Sequence, residues 1–311
     1  MKLIIQIPCF NEAATLPVAL AALPRHVEGF DQVEWLVIDD GSHDDTAGVA
    51  LAHGVDHVVR HFHNRGLARG FMTGLDACLA RGADVIVNTD ADNQYDARDI
   101  PRLVAPILDQ QAEIVVGERP ISQIQHFSPT KKLLQKLGSG VVRSLSGAEI
   151  PDAPSGFRAM SRRAAQQLMV FSDYTYTLET IIQAGQKNIG ITSVPVRVNG
   201  YQRPSRLVKS IPSYIQRSIV TIVRIFVIYR PFRFFALLGT LLFGIGTVIG
   251  FRYLFMVSIG RGGGHIQSLI LAAVLLVGGF QSLLIAFVTD VIAANRKLLE
   301  DLRFESRRSR S

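Results

Sequence analysis

Two periodicities alternate along the first 119 residues. Short apolar, β-rich runs recur at residues 3–7, 35–38, 57–59, 85–87 and 114–116, and helical spacing of apolar positions fills 13–23, 44–53, 66–81 and 97–110 between them. Strands separated by helical segments of roughly 10–15 residues mean βαβ units and a parallel sheet. Asp44 or Asp45 before Thr46, and Asp96 before Ala97, are placed to cap helix N-termini. A further helix is expected at about 175–184 and a further strand at about 191–198. The fold class is therefore α/β, with a Rossmann-like, mostly parallel sheet of the kind that binds nucleotides.

Beyond residue 200 the pattern changes. Residues 234–251 form an 18-residue stretch without a charge, and residues 266–289 another of 24. As helices, both are long enough to cross a hydrocarbon core of about 30 Å, and neither carries the polar stripe of a buried soluble helix. Apolar pairs at 207–208, 214–215, 219–220, 222–223 and 225–226 are punctuated by Lys209, Arg217 and Arg224, which suits interfacial amphipathic helices. Lys131, Lys132, Lys136 and Arg143 lie on a basic amphipathic stretch at 128–146, readable as a solvated face or as a helix against lipid headgroups. The expected organisation is a cytoplasmic catalytic domain at 1–205, juxtamembrane helices at 206–231, a two-helix transmembrane hairpin at 232–292 and a basic cytoplasmic tail at 293–311.

Composition adds to this. Hydrophobic residues make up 48% of the 311, an excess that the two spans account for. The net charge of +7 is unevenly shared: residues 1–199 carry −4 and residues 200–311 carry +11. Apart from Arg252, near the end of the first span, and Arg261, the basic residues of this half lie before the first span and after the second, so the positive-inside rule puts both flanks in the cytoplasm and the loop near 258–265 outside. Met1-Lys2 runs straight into an apolar strand with no signal-peptide pattern. The expected location is the inner (cytoplasmic) membrane, multi-pass, with the catalytic domain in the cytoplasm. Anionic lipid explains the basic half without nucleic acid, which is not an expected partner. Cys9 and Cys78 are the only cysteines and are expected to be reduced structural thiols.

The densest chemistry is Asp90-Ala91-Asp92-Asn93-Gln94, just past the apolar run at 85–87. Side chains at i and i+2 of an extended segment share a face, so Asp90, Asp92 and Gln94 offer hard oxygen ligands at the carboxyl end of a strand. Open α/β sheets bind ligands at that edge. An Asp-x-Asp pair is expected by chance in a chain this rich in Asp; its place at the end of the third of three similar strand segments gives it meaning. The chain has no Gly-x-Gly-x-x-Gly after its first strand and no Gly-x₄-Gly-Lys-Ser/Thr, so phosphate must be handled by metal and basic side chains.

Further segments join this one. Pro8-Cys9-Phe10-Asn11-Glu12 resembles a Pro-x-Tyr-Asn-Glu motif with Phe in the Tyr position, and residues 39–46 resemble Asp-Asp-Gly-Ser-x-Asp-x-Thr. Residues 64–70, with Gly74, resemble an Asn-x-Gly-rich helix start, and Asp90–Gln94 an Asp-Ala-Asp-x-Gln motif. Gly117-Glu118-Arg119 is similar to Gly-Ser-Arg, and residues 152–158 to Asp-x-x-Ser-Gly-Phe-Arg. In this order, and followed by an apolar hairpin, they resemble the family-two glycosyltransferases with a GT-A fold, in the polyprenyl-phosphate (dolichyl-phosphate mannose synthase-like) branch.

That resemblance implies the inverting, Mg²⁺- or Mn²⁺-dependent transfer of a hexose from a nucleotide sugar, UDP-glucose-like or GDP-mannose, to a polyprenyl phosphate. It implies that Pro8, Phe10, Glu12, Ile38, Asp39, Asp40, Asp90 and Ala91 line the nucleotide-sugar pocket, joined by Arg206, and that Asp92 and Gln94 hold the metal. Arg119 is implied in binding the acceptor phosphate. Lys131 stands near where the family often has an Arg, and an ammonium lacks the two-pronged geometry of a guanidinium. Asp92 and Asp152 are the candidate catalytic residues, Asp152 either as a base or as the group orienting Arg158 or a phosphate-binding lysine. Membrane lipid is an expected partner, and self-association through the hairpin is open. The alternatives are transfer to another lipid acceptor, or a non-catalytic scaffold or flippase accessory. A processive synthase is disfavoured, since its Gln-x-x-Arg-Trp is absent and the one Trp is Trp35. His53, His57, His61 and His63 suggest a metal site by their spacing but lack a matching carboxylate cluster.

Overall fold

The computed structural model describes residues 1–120, 140, 143, 146–170, 176–199, 220, 223–224, 226–260 and 266–310. Lys131 and Arg206, and most of the basic stretch at 128–146 and of the juxtamembrane segment, lie outside the described residues. The chain divides into two compact units, residues 1–219 with 301–311, and residues 220–300.

In the first unit β1 (Lys2–Cys9), β2 (Gln32–Asp39), β3 (His57–Arg60) and β4 (Val85–Asn88) run parallel, linked by α1 (Leu16–Ala22), α2 (Thr46–Ala52) and α3 (Leu67–Ala80). A 3₁₀ turn (Ala97–Asp99) and α4 (Ile100–Leu108) lead to β5 (Ile114–Glu118). Then β6 (Arg158–Ser161) inserts between β4 and β5, antiparallel to both. After α5 (Arg162–Gln167) and α6 (Thr177–Gln186), β7 (Ile191–Pro195) pairs parallel with β5. The sheet order is β3-β2-β1-β4-β6-β5-β7, the mostly parallel α/β arrangement expected.

The sequence reading misses β6 and α5. Residues 158–161 are Arg-Ala-Met-Ser, with a charge and no β-branched side chain, so strand propensity is low; burial between two neighbours decides the conformation. The helix expected at 13–23 starts only at Leu16, because Asn11 sits at φ +55 and the segment bends before Pro17. Asp45 occupies the N-cap position of α2 without a side-chain cap; the neighbouring Asp44 instead accepts from the amides of Thr46 and Ala13, both at 3.1 Å. Asp96 caps its turn as expected, accepting from the Arg98 amide at 3.0 Å.

Two apolar clusters cover the sheet. On one face Leu3, Ile5, Ile7, Val37 and Val87 pack with Leu16, Leu20 and Leu103. On the other, Ile4, Leu36, Ile38 and Ile86 pack with Phe71, Leu75, Met160 and Tyr176. Successive strand residues alternate between clusters, as the pleat requires. Cys9 and Cys78 are buried free thiols. His53 bonds the carbonyl of Val49 and His57 the carboxylate of Glu34.

The second unit holds α7 (Pro231–Ser258) and α8 (Ile266–Arg310) as far as Glu300; each helix contains an 18-residue window apolar enough to cross a membrane, with mean hydropathies of 2.1 and 2.4. The two helices meet at glycines. A Cβ added at Gly279 would lie 2.6 Å from the Phe243 nitrogen, and one at Gly239 would lie 2.9 Å from the Gly279 carbonyl oxygen. Small residues that let backbones approach are how apolar helices associate without a hydrophobic driving force. Leu237, Val248 and Phe251 are each more than two-thirds exposed outside that contact, which suits membrane association.

Gly41, in the turn after β2, has φ +71, and a Cβ there would meet the His63 carbonyl carbon at 2.5 Å. Gly82 has φ +77 with nothing within 4 Å. Gly82→Ala should therefore cost only the conformational term, about 1 kcal/mol, while Gly41→Ala costs that plus displacement of the loop before α3. Thermal melts of the two variants should separate clearly, and equal losses would contradict the close packing of that loop.

Candidate active site

Of the expected site residues, Pro8, Phe10 and Glu12, Ile38 to Asp40, and Asp90 to Gln94 lie at or just past the ends of β1, β2 and β4, neighbours in the sheet. Pro8 is the penultimate residue of β1, and Cys9 leads on to half-buried Phe10, whose ring meets that of His43 edge-on at 6.2 Å. Glu12 is buried, with its amide on Thr46 Oγ1 at 3.0 Å. Ile38 points into the core against α3, so only its backbone faces the strand end. Asp39 is fully buried, its Oδ1 accepting from the Ser42 amide at 2.9 Å and its Oδ2 facing Arg60 Nε at 3.1 Å. Asp40, one residue on, turns to the other side and accepts from the amides of Arg65 and Gly66.

Asp90–Gln94 follow β4. Asp90 is half-buried and Ala91 buried; Asp92 is half-buried, its Oδ1 accepting from the Gln94 amide at 3.1 Å, and Gln94 is exposed. Burial and the adjacent charge of Asp92 push the Asp90 carboxyl up to about 7, against the opposing pull of Arg119. Among the described residues no group of three or more His, Cys, Asp and Glu is arranged around a metal. Two hard oxygen ligands beside a second carboxylate still fit Mg²⁺ or Mn²⁺, which commonly bind through few protein oxygens and complete their shell with substrate phosphate. Burial and the neighbouring charge that raise Asp90 are both offset by a divalent cation.

Arg119 and Asp152 form a two-pronged pair: Arg119 Nε donates to Asp152 Oδ2 at 2.7 Å and Nη2 to Oδ1 at 2.9 Å, and the Arg119 amide adds a third bond at 3.2 Å. Asp152 is completely buried and Arg119 nearly so. Asp152 thus orients Arg119. Arg158 has other partners: it donates to the carbonyls of Ser155, Ala153 and Thr177 and to Thr180 Oγ1. Burial pulls the Arg158 guanidinium down to about 10, opposed by the fields of Tyr176, Tyr95, Asp152 and Asp90.

A polar network beneath the site escaped sequence reading. Gln6 Nε2 donates to Asn88 Oδ1, and Asn88 Nδ2 donates to the Gly156 carbonyl and to Tyr176 Oη, all at 2.9 Å. The Gly156 amide donates to Tyr95 Oη at 3.0 Å. Gly156 passes so near Asp90 that a Cβ there would lie 3.1 Å from its Oδ2. The one signal in the sequence is an amide ending the apolar run Val85-Ile86-Val87, two residues before Asp90.

Residues 4–169 match the sequence pattern described as glycosyl transferase family 2. The chain belongs to that family. Among relatives, it is 28% identical over 213 residues to a UDP-N-acetylglucosamine–dolichyl-phosphate N-acetylglucosaminyltransferase of Methanococcus voltae, covering 61% of this chain and 83% of that one. It is 26% identical over 206 residues to a polyprenol monophosphomannose synthase of Mycolicibacterium smegmatis, covering 63% and 76%. Glucosyl-3-phosphoglycerate synthase of Mycobacterium tuberculosis, solved with Mn²⁺, UDP and glucosyl-3-phosphoglycerate, superposes with a TM-score of 0.53 at 20% identity, over 71% of this chain and 79% of that one. This likeness shows the shared GT-A-like fold, which is also the fold of this family-2 chain.

Asp90→Asn should stabilise the metal-free protein at pH 8 and have little effect near pH 4. The raised native pKa means that ionised Asp90 opposes folding, a penalty that grows as pH rises from the ordinary carboxyl range through about 7. Melting temperatures in chelator at both pH values test the sign. Separately, Asp152→Asn leaves a nearly buried guanidinium without its counter-charge and should cost about 3 kcal/mol, whereas the double change Arg119→Met with Asp152→Leu recovers much of it. Melts of single and double variants would show the coupling.

Proposed function

We propose that this chain transfers a hexose, with inversion, from a nucleotide sugar to a polyprenyl phosphate at the cytoplasmic membrane face. The observation that carries the reading is that Asp90, just past the end of β4, lies in the field of the Asp152-oriented guanidinium of Arg119. One arm suits a metal-bound diphosphate and the other a phosphate anion. The relatives named for dolichyl-phosphate and polyprenol acceptors support the acceptor class, and the apolar helices support a lipid-borne substrate. The Mn²⁺ bound with UDP in the structural neighbour supports the cation.

In this reading Asp92 and Gln94 hold Mg²⁺ or Mn²⁺, which supplies Lewis-acid neutralisation of the departing diphosphate. Pro8, Phe10, Glu12, Asp39, Asp40, Asp90 and Ala91, with the backbone at Ile38, shape the nucleoside side of the cleft, and Arg206 adds charge to the diphosphate. Arg119 and Lys131 draw in the acceptor phosphate. Held by the two bonds its guanidinium donates to Asp152, Arg119 meets that phosphate without first losing side-chain freedom, so its charge is preorganised. A phosphate oxygen already anionic at pH 7 attacks the anomeric carbon from the face opposite the leaving group. No base is needed, and Asp152, bonded through both oxygens to Arg119, serves by positioning.

An isoprenoid is expensive to remove from lipid, at about 0.8 kcal/mol per buried CH₂, so the catalytic domain must work at the membrane surface. The juxtamembrane segment at 206–231 and the basic tail at 293–311 are assigned to holding it there.

Detergent-solubilised protein incubated with radiolabelled nucleotide sugar, polyprenyl phosphate and Mn²⁺ should form a labelled lipid. Asp92→Asn and Asp92→Ala should lower that transfer by about a hundredfold or more at saturating Mn²⁺. Exhaustive chelation should abolish it reversibly. Full turnover in either variant would reject the metal assignment, and failure to label any polyprenyl phosphate would reject the acceptor.

A further inference from the structure

His61 has no part in the chemistry above, yet it is one of the few charged or polar side chains buried at this edge of the sheet, at 8% exposure. It follows β3, and its amide donates to the Asp39 carbonyl at 2.9 Å. Both ring nitrogens are engaged: Nδ1 lies 2.6 Å from Asp40 Oδ1 and Nε2 lies 3.0 Å from Thr73 Oγ1 on α3. A carboxylate is acceptor-only, so Nδ1 carries a proton toward Asp40, and Nε2 is left to pair with Thr73 Oγ1.

The consequence falls on Asp40. Its Oδ1 accepts from His61 Nδ1 and from the Arg65 amide at 2.9 Å, and two donors fill an oxygen's in-plane capacity. Its Oδ2 accepts from the Gly66 amide at 2.8 Å, leaving one position. Asp40 keeps a slight exposure of 5%, whereas Asp39 has none: its Oδ1 accepts from Ser42, and its Oδ2 is sealed beneath Arg60 in a charge contact without a hydrogen bond. Of the two carboxylates, Asp40 is the one with a surface to offer a ligand, and it offers a single acceptor site.

We propose that His61, braced by Thr73, is a positioning residue that holds Asp40 with one open acceptor position, and that the donor nucleoside is therefore uridine, not guanosine. The inference rests on the reading above that Asp40 lies in the nucleoside pocket. Guanine presents two parallel donors, its ring N–H and its amino group, which want both oxygens of a carboxylate. Uracil presents one imide N–H, flanked by carbonyls. Adenine and cytosine set a ring-nitrogen lone pair beside their amino donor and repel a carboxylate. A half-filled Asp40 matches uracil and leaves a guanine donor unpaired, at a cost worth about tenfold or more in affinity.

The test is calorimetric titration of UDP and GDP, each with Mn²⁺, into the detergent-solubilised full chain. UDP should bind about tenfold or more tightly than GDP. His61→Leu should weaken UDP by about tenfold. His61→Asn, whose side-chain Nδ2 stands where Nδ1 stands in the imidazole, should restore UDP to within about threefold. In turnover, His61→Leu should raise KM for the nucleotide sugar far more than it lowers kcat, a split that general loosening of the fold would not give. Thr73→Val, which removes the hydroxyl that braces the imidazole while keeping shape, should weaken UDP in the same direction and carries the test if the Leu variant does not fold. GDP binding as tight as UDP, or wild-type UDP affinity in His61→Leu or Thr73→Val, would overturn the proposal while leaving the transferase reading intact. Failure of the wild-type chain to bind either nucleotide would overturn the transferase reading itself, and this proposal with it.

Discussion

Asn88 is the fixed point on which the site depends. An amide buried inside a sheet must find partners, because an unpaired one costs about 1–3 kcal/mol. Asn88 finds them on three sides, through Gln6 on β1, the Gly156 carbonyl in the loop before β6, and Tyr176 beside α6. Those bonds determine where the antiparallel strand enters and how closely its preceding loop lies on Asp90. That loop also begins with Asp152, so the same satisfaction of one amide places the carboxylate that orients Arg119. Stacking of Tyr176 on Phe71, with centroids 3.9 Å apart, ties the network to α3.

Above that point the governing term is charge. Asp39, Asp40, Asp90 and Asp92 converge on one sheet edge, and the fold handles each differently. Asp39 is given a turn amide and an arginine, Asp40 two loop amides and a histidine, and only the Asp90–Asp92 pair is left in mutual repulsion. Neutralised carboxylates build the walls of the cleft, and the repelling pair is the part suited to a cation. A buried guanidinium such as Arg158 follows the same economy: its four donor contacts go to backbone carbonyls and one hydroxyl, closing the loop that leads into β6 around a single side chain. Pairs of this kind give geometry more than stability, since desolvation consumes most of their attraction.

The architecture was legible from residues 1–119 because parallel strands buried on both faces read as short apolar runs with helical spacing between them. Asp90 and Asp92 stood out because an extended chain places i and i+2 on one face. What escaped has physical reasons too. Residues 158–161 fold as a strand although their own preferences say otherwise, and Asp152 meets Arg119 across 33 residues of sequence, a pairing that no local pattern encodes. His61 drew notice only for its neighbours in sequence, His57 and His63; its actual partners, Asp40 and Thr73, come from two other elements.

Sequence alone therefore determined the local and the periodic: the alternating strands and helices of residues 1–119, which stretches suit lipid, and that carboxylates follow a strand. These follow from side-chain spacing along a regular backbone and from the length of apolar runs. Tertiary structure decided the pairings: which carboxylate is neutralised by which donor, and which is left charged in the cleft. Hydrogen bonds and burial are settled only when distant segments meet, and the proton affinity of Asp90 and the single open position on Asp40 exist only after that meeting.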